Sequence, residues 1–66
     1  MGEFEDLIKK LKYGDDLTRY DAAVALGRLG DNRAVEPLTK ALKSQHPHVR
    51  EAAGRALEEI KKRAQI

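Results

Sequence analysis

The chain has no cysteine, which excludes disulfides and thiolate metal sites. Small chains often lean on one of those two supports; here tight helix packing and oligomerisation are what is left. Ser44 is the only serine, so no serine–histidine nucleophile suggests itself. No glycine-rich phosphate loop exists, because Gly27 and Gly30 belong to a helix ending. No apolar run approaches the roughly 20 residues that span a bilayer. Glu3, Glu5 and Asp6 stand where a signal peptide would have its basic start. These absences predict a soluble, intracellular protein, placed in the cytoplasm. An excess of one charge is lacking too: 13 Lys and Arg face 11 Asp and Glu, and a net charge of +2 is too small to argue for nucleic acid by itself.

What is present is a repeat. Residues 4–29 recur with substitutions at 35–60, at a constant offset of 31 and without a gap. Leu7 maps to Leu38, Leu11 to Leu42, Arg19 to Arg50, Ala22 to Ala53, Ala25 to Ala56 and Leu26 to Leu57, while Leu29 meets Ile60. A period in this range marks a solenoid of stacked helix pairs. The 66 residues make a single domain, with one repeat over about 3–31 and the other over about 32–66. A chain this short buries only about 60% of its unfolded surface, and about three repeats are normally needed for a stable stack.

Four helices follow from the pattern. Phe4, Leu7, Ile8 and Leu11 fall on one face of a helix from about Glu3 to Tyr13, ended by Gly14. Asp15 or Asp16 caps a second helix that runs to about Leu29, with Ala22, Ala25, Leu26 and Leu29 inward and Gly30 as its stop. After a polar loop at Asp31-Asn32-Arg33, a third helix spans about Ala34 to Lys43, with Val35, Leu38, Ala41 and Leu42 inward and Pro37 in its first turn. The fourth starts at Pro47, carries Val49, Ala53, Ala56, Leu57 and Ile60, and frays into Lys61-Lys62-Arg63. Loops of two to five residues require antiparallel neighbours. The alanines of the second and fourth helices, with Gly54, suit close approach of helix axes.

The segment from Arg19 through Leu42 resembles a HEAT-like repeat, of the short kind found in phycobilin lyases and in many bacterial and archaeal adaptor proteins, and in artificial proteins built from a consensus of them. Pro47-His-Val-Arg-Glu-Ala-Ala-Gly-Arg-Ala-Leu57 is the same motif again. The resemblance implies an all-α fold of two helix hairpins stacked as a short right-handed α-solenoid. It implies that the second helix of each hairpin lines a concave, partner-binding face. It also implies structural roles: Arg19 and Arg50 match an arginine that reaches an acidic or carbonyl group in a neighbouring loop, and Asp31 matches the loop acid. The second copy departs from the pattern, reading Ile60-Lys-Lys-Arg in place of Leu-Gly-Asp, which looks like a polar edge.

Tyr20 and Val24 lie four apart, off the leucine stripe, and their repeat-mates are the charged Glu51 and Arg55. They form a contact surface, or else the tyrosine is an isolated exposed one, or the pair packs against the first helix. Arg28, Arg55 and Lys62, with Arg19 and Arg50 nearby, add positive charge to that side. Glu51, Glu58, Glu59 and Asp21 interrupt it, and only a few aromatics are there to stack bases, so pairs such as Glu58–Lys62 and Glu59–Arg63 on a solvated face are the reading preferred over nucleic-acid binding. His46-Pro47-His48 offers two metal ligands with no cysteine or third histidine to complete a site. Pro47 as first helical residue, after His46 in the cap position, explains it instead. Asp15 and Asp16 are explained by capping, without acid–base chemistry.

The expectation is therefore a non-catalytic adaptor or scaffold, without cofactor or metal, that binds another protein through Tyr20, Val24, Arg28, Glu51 and Arg55. The alternative is an assembly unit that completes its core as a homodimer. An accessory role in bilin attachment rests on fold analogy alone.

Overall fold

The computed structural model describes residues 2–64. It contains four α-helices, α1 (Glu3–Tyr13), α2 (Asp16–Leu29), α3 (Val35–Ala41) and α4 (Pro47–Ala64), with a short 3₁₀ turn at Asn32–Ala34 ahead of α3. No strand occurs among the described residues. α1 packs on α2, α3 packs on α4, and α2 and α4 form the broadest contact. Two hairpins thus lie side by side as a short helical solenoid, in a slab of 34 × 28 × 15 Å.

Each helix end has a local cause. The Glu5 carboxylate reaches back to the Gly2 N–H at 3.2 Å, at the start of α1. Asp15, not Asp16, caps α2: its Oδ1 accepts from the Thr18 N–H at 2.9 Å. Gly30 ends α2 at φ +70°, the left-handed conformation that glycine adopts without strain. Gly14 ends α1 differently. Its backbone is extended, and a Cβ there would come within 2.6 Å of both the Lys10 carbonyl oxygen and Thr18 Cγ2, so glycine answers a lack of space.

The core runs along the α2–α4 junction, with Leu26, Leu38, Val49 and Ile60 fully buried. Its orientation corrects three expectations. α2 buries Ala22, Ala23, Leu26 and Gly27, while Ala25 is half-buried and Leu29 is 43% exposed. α3 is shorter than its pattern at both ends: Asp31 accepts from the Arg33 N–H where Asn32–Ala34 forms the 3₁₀ turn, and after Ala41 the Lys43 and Ser44 N–H groups donate to the Lys40 and Ala41 carbonyls, three residues back, closing a turn instead of continuing the helix. Val35 and Leu42 are exposed instead of inward, and the fully buried Ala34 and Leu38 face the core. Finally, α4 does not fray at Lys61-Lys62-Arg63 but continues through Ala64.

The close approach of α2 to α4 is made by Gly27. A Cβ there would lie 2.8 Å from Ala56 Cα and 2.9 Å from Ala56 Cβ, which no side chain tolerates without a shift. Gly54, also a candidate for close packing, has room: a Cβ there would meet only Leu42 Cδ2, at an ordinary 3.7 Å.

Candidate functional site

α2 and α4 run beside each other along one side of the slab and leave an open groove of about 540 Å³ between them. α2 lines it with Tyr20, Val24 and Arg28. α4 lines it with Glu51, Arg55, Glu58, Glu59 and Lys62, over a floor of Ala52 and Ala56. The spacing explains the convergence: positions 20, 24 and 28, and likewise 51, 55, 58, 59 and 62, recur at three or four residues and so share a helix face. All five residues expected at a binding surface therefore meet in one groove. Tyr20 is 38% exposed, with its ring available at the groove wall.

The groove is chemically mixed. Arg28, Arg55 and Lys62 are matched by Glu51, Glu58 and Glu59. The expected ion pairs within α4 do not form. Neither Glu58 with Lys62 nor Glu59 with Arg63 comes within ion-pair distance, and Arg63 instead donates from Nη1 to the Arg28 carbonyl at the end of α2. That places a cation against the negative end of the α2 dipole, beside Gly30, with the flexible Arg63 side chain lying where a Cβ of residue 30 would approach it. No local pattern signals this bond, which joins residues 35 apart.

A second residue escaped sequence reasoning. Leu17 is 70% exposed. It lines an adjoining, mainly apolar recess with Tyr20, Asp16, His46 and His48. Its signal was available, since its repeat-mate is the polar His48, the same contrast that singled out Tyr20 and Val24. Leu17, Tyr20 and Val24 thus form an apolar edge along α2, shared by two neighbouring recesses.

The three structural candidates lie outside the groove. Arg50 does reach a loop: its Nη1 donates to the Ser44 carbonyl at 2.7 Å. Arg19 has no such bond among the described residues, and its Nε is buried without a partner. Asp31 is held by Arg33, through a guanidinium contact of 2.7 Å and the backbone N–H. The same guanidinium lies 4.3 Å above the Phe4 ring, so the loop between hairpins is anchored to α1. These contacts set the local acidities. The Arg33 guanidinium and then its N–H hold the Asp31 carboxyl below its usual range, and Asp31 in turn raises the Arg33 pKa. The Thr18 N–H does the same for Asp15.

His46 and His48 lie with ring centroids 5.5 Å apart, and His46 Nε2 is 4.0 Å from Asp16 Oδ2. Among the described residues, no three His, Cys, Asp or Glu side chains converge as a metal site would require. No described helix is long and apolar enough to cross a membrane.

A family model described as HEAT repeats matches residues 4–66. No curated protein matches the sequence.

Proposed function

The chain belongs to the HEAT repeat family, whose members generally act as protein-binding scaffolds, and on that premise we propose that it is a non-catalytic adaptor holding a partner protein in the α2–α4 groove. The observation that carries this reading is the convergence of Tyr20, Val24, Arg28, Glu51 and Arg55 on one groove. A partner's apolar side chain packs against Tyr20 and Val24, where an amphipathic ring gives contact area at low entropic cost. The rim charges fix its orientation: Arg28, Arg55 and Lys62 take acceptors or carboxylates, and Glu51, Glu58 and Glu59 take donors.

The balance of three cations and three carboxylates also weighs against a nucleic-acid backbone, which rewards unmatched positive charge. Bilin attachment gains no support from any residue of the groove. The proposal is tested by selecting binders for the full chain from a displayed peptide library. Selected peptides are expected to lose at least tenfold in affinity for Tyr20→Ala and for Arg55→Ala, and to bind Lys9→Ala unchanged. Peptides that ignore both groove substitutions would place the binding surface elsewhere.

A further inference from the structure

Hairpin one (α1–α2) and hairpin two (α3–α4) each carry a stretch without carboxylates, between Asp6 and Asp15 and between Glu36 and Glu51. Each stretch covers the end of its hairpin's first helix and the turn after it. The two meet at one end of the molecule, where a cleft of about 280 Å³ opens. Lys12, Arg19, Lys40 and Lys43 line it over the buried Leu11 and Val49. No described carboxylate lines it, and it shares no lining residue with the α2–α4 groove.

Helix dipoles account for only part of this charge. Lys12 lies in the last turn of α1 and Lys40 in that of α3, where cations answer the negative helix ends. Lys43 lies beyond α3, and Arg19 lies near the start of α2, where the dipole disfavours a cation. Two helix ends of roughly half a negative charge each leave four cations with a surplus of about +3. None of the four makes an ion pair among the described residues. Asp15 is held by the Thr18 N–H, and Asp16 meets Arg19 and Lys43 only across an adjoining recess. Arg19 adds a second observation. Its repeat-mate Arg50 donates to the Ser44 carbonyl, whereas Arg19 makes no such bond and its Nε is buried without a partner. A guanidinium with unpaired donors beside three lysines calls for an acceptor of high negative charge.

We propose that this cleft binds a compact polyphosphate, a small ligand carrying two or more phosphate groups. One phosphate ester carries about −1.5 to −2 at neutral pH, so one group leaves the cleft positive and two match it. The planar fork of Arg19 pairs two phosphate oxygens at once, and the lysines act as point charges around it. A nucleic-acid backbone needs a longer positive track than this one. The outer face turns acidic away from the cleft, with Glu3, Glu5 and Asp6 at the start of α1 and Glu36 at the start of α3. Soluble polyphosphates and phosphorylated lipid headgroups share the required chemistry. The site is independent of the partner groove.

The test titrates the isotopically labelled full chain with inorganic pyrophosphate, and with sulfate as a control for bulk charge. A second arm sediments the chain with phosphatidylcholine vesicles that contain phosphatidylinositol bisphosphate. Amide shifts are expected to saturate at Lys12, Arg19, Lys40 and Lys43, with sulfate bound at least tenfold more weakly. Affinity is expected to fall roughly tenfold in the double variant Lys40→Gln with Lys43→Gln, whose exposed positions leave folding intact. Arg19→Lys, which keeps the charge and loses the fork, is expected to lose about threefold. Tyr20→Ala is expected to bind as the parent does. Cleft-dependent binding of pyrophosphate assigns a soluble ligand, and of the vesicles alone a lipid headgroup; either supports the site. Three results would overturn it: neither probe bound in a cleft-dependent way, sulfate bound as tightly as the probe that binds, or a single-stranded oligonucleotide bound tenfold more tightly than both.

Discussion

α2 and α4 carry the same motif and face different surroundings. α2 is covered by hairpin two along Ala23, Leu26 and Gly27, and it leaves Ala25 and Leu29 open on the other side. α4 is covered along Val49, Ala52, Ala56 and Ile60 and turns Glu58 and Lys61 outward. Equivalent residues thus have unequal importance. A position in a repeat protein takes its energetic weight from the neighbour it meets, not from the motif it belongs to.

The largest effect should come from the mated leucines. Leu26 is fully buried and Leu57 only in part. Leu26→Ala is expected to cost about 3 kcal/mol, enough to unfold much of a domain this small, and Leu57→Ala about 1 kcal/mol. Chemical denaturation followed by circular dichroism checks both, and equal losses would erase the distinction between covered and uncovered hairpins.

The glycines come next and differ in sign. Gly27→Ala is expected to destabilise by about 2 kcal/mol, because its Cβ meets Ala56. Gly54→Ala adds a Cβ that makes only an ordinary contact with Leu42 and removes the entropic cost of glycine within a helix, so it is expected to stabilise by about 0.8 kcal/mol. Melting temperatures of the pair give the answer directly. A Gly27→Ala variant as stable as the parent would mean that α2 and α4 are not pressed together there.

The smallest effect is that of pH, and it sits on hairpin one and the loop after it. Asp15 and Asp31 are both held below the ordinary carboxylate range, by Thr18 and Arg33 respectively. A depressed folded pKa means that the unfolded chain takes up protons first. Their stabilising contribution is complete above the unfolded pKa, near 3.8. It is lost as pH falls from there through the lower folded values. Melting temperature should therefore decline below about pH 4, and Asp31→Asn should flatten part of that decline. An unchanged slope in Asp31→Asn would show that the Arg33 pairing adds nothing to the folded state.

Much of this was legible in the sequence, and the failures are instructive. The limits of α1 and α2 followed from apolar spacing and from Gly14, Asp15 and Gly30. The buried side of α2 did not, because Ala22, Ala23, Val24, Ala25 and Leu26 are apolar all round the helix. With no polar stripe to orient it, the neighbouring α4 decides which side is inward. The 3₁₀ turn before α3 was hidden for a similar reason: Val35 and Leu42 satisfy helical spacing whether or not they find cover. The groove residues were legible because the repeat supplied an internal comparison, an aromatic and a valine where the other copy is charged. The same comparison applied to Leu17 would have extended the surface. Arg63 on the Arg28 carbonyl is a contact between distant residues that no periodicity encodes.

The most direct measurement is a titration of the isotopically labelled full chain with a peptide selected for binding it, followed by amide chemical shifts. The account predicts that the largest changes cluster at Tyr20, Val24 and Arg28 on α2 and at Glu51 and Arg55 on α4, with α1 and α3 nearly silent. Changes centred on Lys9, Lys12 and Lys40 of the outer helices would contradict it and move the binding surface to the other side of the slab.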